Sequence, residues 1–236
     1  MKKFSSYFLI VFSFFIIFSY ISFGQQSSGN DSGKYSTESP EDLTLEELFL
    51  GLQNIPLDSL ATIVQAGDDH DLLLIVVQLL SANKSKESIE LLIKILDIGV
   101  NNVKTENGVI VNNFWDIRVE AAYILGELKA KEAVPKLVEI LKKDNDPIVK
   151  AYVAMALGKI GDKSVVPLLI ELLQIYKNEY KSSNAPLIYG IIVALGNLGD
   201  PMAIGVLLEV SQGSFPMYIR QMAIQSIKKI QSGGKG

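Results

Sequence analysis

The sequence contains no cysteine and a single histidine, and these two scarcities exclude several kinds of chemistry. Without cysteine the chain can form no disulfide, no thiolate nucleophile and no cysteine-ligated metal site. The lone histidine, His70, has no HExxH-like spacing around it, so it offers neither a usual zinc site nor a credible Ser-His-acid arrangement. We therefore predict a protein that is not an enzyme, with no catalytic residues, no cofactor and no metal.

Basic residues are also in the minority, with 22 Lys and Arg against 26 Asp and Glu. The formal net charge is −4, and removal of residues 1–24 would take away two lysines and no acids and leave −6. An acidic chain is poorly suited to a phosphate backbone, so we expect no nucleic-acid partner.

The amino terminus carries the longest apolar run, over residues 7–23, preceded by Lys2 and Lys3. A basic end, an apolar run and small residues at Ser22 and Gly24 are typical of a bacterial-type secretory signal cleaved after Gly24. The alternative is an uncleaved membrane anchor, because the run is nearly long enough to span a bilayer. Both interpretations place the lysines inside and export the rest of the chain, so the expected location is extracytoplasmic, in the periplasm.

Residues 25–40 are rich in Ser, Gly, Gln, Asn and Asp and contain almost nothing apolar. Such a segment cannot bury enough surface to offset the entropy of ordering, which predicts a disordered tether. We expect the folded region to span 41–232.

An internal repeat organises this region. A shift by 32 residues places Gly126 on Gly158 and Pro135 on Pro167, with apolar positions matching between them. A fixed period of this size indicates stacked helical pairs. The repeats are expected near 43–67, 69–97, 114–143, 146–175 and 184–211, followed by a last helix over 216–230.

Local signals refine these repeats. Gly126, Gly158 and Gly196 would permit close helix approach, and Gly161 and Gly199 would end helices. Asp162 and Asp200 would cap the helices that follow. We also predict a polar linker over 176–183 and a capping role for Asn184.

Residues 97–113 interrupt the array. Asn107-Gly108 stands between β-forming residues, and both positions of a tight hairpin turn favour positive φ. We predict a small β-hairpin or ordered loop on one rim of the array.

Several motifs carry a family resemblance: Asp146-Pro147-Ile148-Val149-Lys150, Ala156-Leu157-Gly158, Ile160-Gly161-Asp162 and Val165-Val166-Pro167-Leu168. They resemble HEAT repeats, of the short bacterial kind also seen in phycobilisome lyase subunits. The resemblance implies an all-α, right-handed α-solenoid of about five helical pairs. It further implies that the second helix of each pair lines the concave side, here near 86–97, 131–143, 163–175 and 201–211.

One column of charged residues is equivalent across the repeats: Lys94, Glu139, Glu171 and Glu209. It could form a stripe for a basic partner, or it could be an ordinary solvated position whose charges are mostly screened. We favour the second interpretation, because charged residues are common on solvated helix faces.

Asn107 and the aromatic pair Phe114-Trp115 are the other candidates for contact with a partner. Exposed aromatic residues dominate binding hot spots, whereas buried ones would only seal the hairpin to the solenoid, and we favour burial.

These features predict a non-catalytic protein-binding scaffold or adaptor of the bacterial cell envelope, whose protein partner docks on the concave face. The competing hypothesis is an accessory subunit of a lyase-like or other envelope enzyme. Contact with a membrane is expected only if the amino-terminal segment stays uncleaved.

Overall fold

The computed structural model describes residues 55–233. The expected signal segment, the tether and the first half of the repeat near 43–67 lie outside these residues. The described α-helices are α1 (Leu57–Ala66), α2 (His70–Ala82), α3 (Lys86–Ile95), α4 (Trp115–Glu127), α5 (Val134–Lys143), α6 (Pro147–Ile160), α7 (Val166–Asn178), α8 (Ala185–Leu198), α9 (Ile204–Gln212) and α10 (Met217–Gln231). The described region is an all-α solenoid with one small two-stranded sheet, as the sequence predicts.

Short polar side chains begin several of these helices. Asp69 accepts a hydrogen bond from the Leu72 amide at the start of α2, and Asp146 accepts one from the Ile148 amide at the start of α6. Each carboxylate satisfies a backbone donor that has no partner within its helix and complements the positive end of the helix dipole.

The first helices of successive pairs, α4, α6, α8 and α10, pack directly on one another. A Cβ built on Gly126 would lie 2.9 Å from Ala156 Cα, and one built on Gly158 would lie 2.6 Å from Ala194 Cα. Gly196 approaches Ser226 in the same way. The predicted reason for these three glycines is confirmed, since a side chain at any of them would force the helices apart.

The core is continuous from pair to pair. Equivalent leucines in four of the first helices, α2, α4, α6 and α8, are fully buried: Leu80, Leu125, Leu157 and Leu195. A solenoid needs this arrangement, because no single pair can bury its own apolar face.

Turns between helices also follow the sequence signals. Gly161 and Gly199 end α6 and α8 in the left-handed conformation, with φ of 82° and 65°. Asp162 and Asp200 then accept hydrogen bonds from the amides of Ser164 and Met202 in the 3-10 turns that follow. Both predicted roles are confirmed.

Two local predictions are wrong. The segment 176–183 is not a linker throughout, because α7 continues to Asn178. Tyr176 is half-buried against the core, and this packing outweighs the polar character of its neighbours. Asn184 does not cap α8 with its side chain, because it is the last residue of a 3-10 turn over Ser182–Asn184 and already has near-helical backbone angles.

The insertion forms the predicted hairpin, with strands β1 (Thr105–Glu106) and β2 (Val109–Ile110). The strands are antiparallel, and the pairs are Thr105 with Ile110 and Glu106 with Val109. The turn residues Asn107 and Gly108 have φ of 50° and 79°, which is the geometry that an Asn-Gly turn favours.

None of the helices within residues 55–233 has the length and apolar character needed to cross a membrane.

Candidate functional site

The base of the hairpin is attached to the solenoid through Arg118 of α4, whose side chain is 1% exposed. Its Nε donates to Asp144 Oδ2 at 2.7 Å, its Nη1 donates to the Ile98 carbonyl at 3.0 Å, and its Nη2 donates to Asn113 Oδ1 at 2.9 Å. Since Ile98 and Asn113 stand at the two ends of the insertion, one buried guanidinium holds both ends on the helical pair α4 and α5.

A second anchor is the fully buried side chain of Asn112. Its Nδ2 donates to the carbonyls of Asn102 and Gly67, at 2.9 and 3.2 Å, and its Oδ1 accepts from the Lys104 amide at 2.8 Å. Asn112 therefore joins the two strands' bases to the end of α1. A polar group buried with all these partners specifies one position for the insertion, because losing any partner would leave it unsatisfied.

Above this base, the hairpin exposes a set of apolar side chains that we name the hairpin patch. Within it Val109 is 65% exposed, Ile110 47% and Val111 40%; the other members are Val103 and Trp115. Five large apolar side chains are exposed within thirteen residues, with Val109 and Val111 on one face of the hairpin and Ile110 on the other. Exposed apolar surface concentrated in this way marks interaction sites. The buried hydrogen bonds of Asn112 and Arg118 fix the base from which the hairpin extends.

The two aromatic residues at the start of α4 have different surroundings. Phe114 is half-buried, and its ring meets the His70 ring edge-on at a centroid distance of 5.3 Å. Trp115 is 40% exposed and belongs to the hairpin patch. The expectation of burial therefore fits Phe114 and not Trp115. Asn107 lies exposed at the hairpin tip.

His70 links the amino ends of α2 and α4. Its Nε2 lies 2.8 Å from Asp116 Oδ2 and its Nδ1 lies 3.0 Å from Asp71 Oδ1. Partial burial opposes protonation, but the hydrogen bonds to Asp71 and Asp116 and their charges prevail and raise the pKa of His70. A ring with a carboxylate on each nitrogen must carry both protons to donate to both, so the two bonds form together only in the imidazolium state.

Glu139 is the member of the predicted acidic row that contacts the insertion. It accepts hydrogen bonds from Lys136 at 2.7 Å, Lys143 at 2.8 Å and Asn101 at 2.9 Å. Donation from Lys136, then from Lys143 and Asn101, lowers the pKa of Glu139 to about 2. Asn101 belongs to the insertion, so the hairpin base borders the second-helix face (defined as the exposed side of α3, α5, α7 and α9).

The remaining members of the row differ in their charge environment. Glu209 on α9 forms an ion pair with Lys177 on α7. Glu171 and Lys94 are exposed, and neither has an ion pair within residues 55–233. Because lysines compensate Glu139 and Glu209, the row presents much less free negative charge than the sequence suggests.

A wide depression of about 550 Å³ adjoins Glu209 between α7 and the loop after α9. Its walls include the Lys177–Glu209 pair and the rings of Tyr180 and Phe215, which meet edge-on at 5.1 Å. The depression is open rather than enclosed, which suits contact with a protein surface better than sequestration of a small substrate.

The opposite side of the solenoid carries a groove that the sequence analysis missed. Tyr123 of α4 and Tyr152 and Met155 of α6 line a space of about 200 Å³. Lys159 Nζ lies 4.4 Å from the Tyr123 ring centroid and pairs with Glu127, and burial lowers the pKa of Lys159. The 32-residue repeat could have predicted this ion pair, because Glu127 and Lys159 are 32 residues apart and therefore lie at equivalent positions of neighbouring repeats.

One acid has an environment that favours its neutral form. Burial raises the pKa of Glu120, while a hydrogen bond from Gln78 opposes the rise. Glu120 lines neither of the two cavities described above. Within residues 55–233 no group of three or more His, Asp or Glu side chains is arranged to hold a metal ion.

Together, the stacked pairs, the anchored hairpin and the partly charge-paired second-helix face define an all-α repeat solenoid with one insertion. Residues 109–181 match the family model described as HEAT repeats, which covers less than a third of the chain. No curated protein matches this sequence.

A solved structure, the complex of CpcE and CpcF of phycocyanin lyase from Nostoc sp. PCC7120, is similar in fold. The likeness has a TM-score of 0.55 and 21% sequence identity, and it covers 86% of this chain and 71% of that one. At this identity the similarity shows the fold.

Proposed function

We propose that this chain is a non-catalytic scaffold or adaptor that binds another protein across the hairpin patch and the adjoining second-helix face. The observation that carries the proposal is the combination of a buried, hydrogen-bonded base and an exposed apolar tip in one insertion. Arg118 and Asn112 fix the base through buried hydrogen bonds, while Val109, Ile110 and Trp115 remain exposed. An apolar surface that is already ordered binds without the entropy cost of ordering it.

The repeat fold supports a protein partner, because stacked helical pairs present an extended surface. The HEAT resemblance assigns the second helices to the concave side, and the contact of Asn101 with Glu139 places the hairpin base beside α5 of that set. A partner of moderate size could therefore touch both the helices and the hairpin.

The cell envelope of a bacterium is the compartment we propose. Its support is the sequence of residues 1–24, with Lys2-Lys3, the apolar run and the Ser22 and Gly24 site. Expression of the full-length chain in a bacterial host, followed by fractionation and amino-terminal sequencing, tests this. The expected product begins at Gln25 outside the cytoplasm, and an intact chain in the soluble cytoplasm would contradict the proposal.

Partner binding is tested with the exported protein immobilised and exposed to envelope extracts, with captured proteins identified by mass spectrometry. The key variant deletes Thr105, Glu106, Val109 and Ile110, so that Asn107-Gly108 joins Lys104 directly to Val111. Lys104 and Val111 already share a backbone hydrogen bond of 2.9 Å, and a two-residue turn can close such a pair. This deletion removes the exposed tip and leaves the Asn112 and Arg118 anchors in place.

The matched control is Met217→Ser, since Met217 is 66% exposed, nearly the same as Val109, but lies on α10. We expect at least one protein to be captured by the parent and by Met217→Ser but not by the variant with the shortened hairpin. If this partner is basic, Glu171→Lys should also weaken its capture. A protein captured equally by the parent and the shortened variant would not be the partner proposed here. If the parent and the shortened variant capture every protein equally, the proposed hairpin site is wrong.

The alternative, an accessory subunit of a lyase-like enzyme, draws its support from the fold likeness to the CpcE and CpcF complex. It would require a substrate-facing acid and base. The acid with a raised pKa, Glu120, has Gln78 as its hydrogen-bonding partner and lines neither cavity described above. This arrangement favours the scaffold.

A further inference from the structure

The outer edge of strand β2 is the feature of the hairpin patch that points to a particular kind of partner. Glu106 and Val109 flank the turn, and the Val111 amide donates to the Lys104 carbonyl at 2.9 Å. In an antiparallel ladder hydrogen-bonded and non-hydrogen-bonded pairs alternate. The pair between them, Thr105 with Ile110, is therefore non-hydrogen-bonded, and the Ile110 N–H and C=O point away from β1 toward solvent.

Among residues 55–233, nothing at this edge provides the protection that proteins use to keep edge strands unpaired. Lysine, proline, a bulge or a covering segment is the usual protection. Strand β2 and its next residue read Val109-Ile110-Val111, all three are exposed, and none is charged or proline. The opposite strand is different, since Glu106 follows Thr105 and Lys104 precedes it.

The exposed area of the patch decides between possible occupants. Five side chains that are each 40–65% exposed offer a few hundred Å² of apolar surface, whereas a stable dimer needs about 800 Å² from each partner. A second copy of this chain paired edge to edge would fall short of that requirement. One extended segment needs less side-chain area, because the backbone hydrogen bonds of strand addition supply part of its affinity.

We propose that an extended segment of the protein partner adds to β2 as a third, antiparallel strand, with its backbone bonded to the Ile110 N–H and C=O. Side chains of this segment lie beside Val109 and Val111, so β-branched residues fit best there. The inference rests on the proposed scaffold function and names the mode of binding at the same site.

Proline substitution separates the edge from the rest of the hairpin. Ile110→Pro removes the outward N–H but no hydrogen bond to β1, and proline is tolerated on an edge strand whose N–H faces solvent. Thr105→Pro does the same to the edge of β1 and is the matched control. Ile110→Val keeps the N–H with a similar side chain.

The probe is a phage-displayed library of linear dodecapeptides, selected on the exported full-length protein, with enriched peptides then synthesised. We expect peptides that alternate β-branched and polar residues. Ile110→Pro should weaken their binding by up to about tenfold through the loss of the hydrogen bond from the Ile110 N–H, while Ile110→Val and Thr105→Pro should change it less than twofold. N-methylation of the peptide amide that faces Ile110 should give the same loss on the unchanged protein, which keeps the test decisive if Ile110→Pro distorts the hairpin.

Three results would overturn the inference: no enriched peptide, peptides that bind the parent and Ile110→Pro equally with no effect of N-methylation, or a parent dimer in sedimentation that Ile110→Pro dissociates. The last result would identify a second copy as the occupant. If the envelope partner of the preceding section is lost on shortening the hairpin but binds Ile110→Pro normally, strand addition is wrong and the scaffold function stands.

Discussion

His70 shows how a single residue can make the junction beside the hairpin sensitive to pH. Its ring bridges Asp71 on its own helix and Asp116 on α4, and the Phe114 ring lies against it. The residue before His70, Asp69, accepts a hydrogen bond from the Leu72 amide and caps α2. The bridge exists only with a protonated ring.

We predict that this bridge stabilises the fold at acidic pH and is lost as pH rises. The pKa of His70 is raised in the folded protein above its ordinary value of 6.5, so the stabilisation is complete below 6.5 and disappears as pH rises through the folded pKa. Urea unfolding of the parent and of His70→Asn between pH 5 and 9 measures it. The difference in unfolding free energy between the two proteins should shrink with rising pH, and a constant difference would contradict the bridge.

Arg118 is the residue whose loss should damage the hairpin base most. Its removal leaves Asp144 as an unpaired charge that is only 2% exposed, which costs about 3–5 kcal/mol in other buried pairs. We predict that Arg118→Met lowers the free energy of unfolding by this amount. Amide exchange over residues 97–113 should also accelerate, because the Ile98 and Asn113 bonds are lost too.

The matched control for that experiment is Lys150→Met, the equivalent position one repeat later, where the side chain is partly exposed and has no ion pair within the described residues. Its effect should stay within about 0.5 kcal/mol, as for ordinary surface changes. Equal destabilisation by both substitutions would show that the Arg118–Asp144 pair has no special role.

At the scale of the elements, the contact between α6 and α8 depends on the absence of a side chain at Gly158. Alanine there would place Cβ 2.6 Å from Ala194 Cα, a distance that requires the two helix backbones to separate. We predict that Gly158→Ala destabilises the fold by about 1–3 kcal/mol, as other overpacked cores do. Thermal unfolding followed by circular dichroism measures it.

Gly205 provides the opposite case within the same fold. It lies in α9, and a Cβ built on it meets no atom of another described residue within 4 Å. Gly205→Ala should stabilise by up to about 1 kcal/mol, because alanine has the higher helix propensity. If both substitutions raise the midpoint, helix propensity rather than close approach controls Gly158.

For the whole molecule, stability should be shared along the array. Leu157 is fully buried in α6 and stands at the same core position as Leu80, Leu125 and Leu195. We predict that Leu157→Asp costs several kcal/mol and lowers the melting of the entire helical signal, since it buries an unpaired charge in a core that neighbouring pairs share. Leu208→Asp, at an exposed position of α9, is the control and should change the melt little. Two separate transitions in the Leu157 variant would show that the repeats unfold independently.

The sequence predicts best those structural features that depend on residues close together in the chain. Asn107-Gly108 predicts a hairpin because both turn residues require a backbone conformation that few other dipeptides adopt. Gly161 with Asp162 predicts a helix end and a cap for the same local reason. The wrong prediction at Asn184 arose because a 3-10 turn can replace a side-chain cap, and nothing in the local residues distinguishes the two.

The sequence by itself determined the all-α repeat fold and its hairpin, because periodic apolar positions, glycines and turn residues act through neighbours a few residues away or one repeat away. Only the tertiary structure decided where the hairpin is held and how much charge and apolar surface the candidate site exposes. The bonds of Arg118 to Asp144 and of Asn112 to Gly67 join residues 26 and 45 positions apart, and they fix the base of the hairpin. The ion pairs of Glu139 and Glu209 remove most of the expected acidic character, since charge on a surface depends on which side chains meet there. For that reason we propose the apolar edge of β2, rather than the acidic row, as the surface that binds a partner.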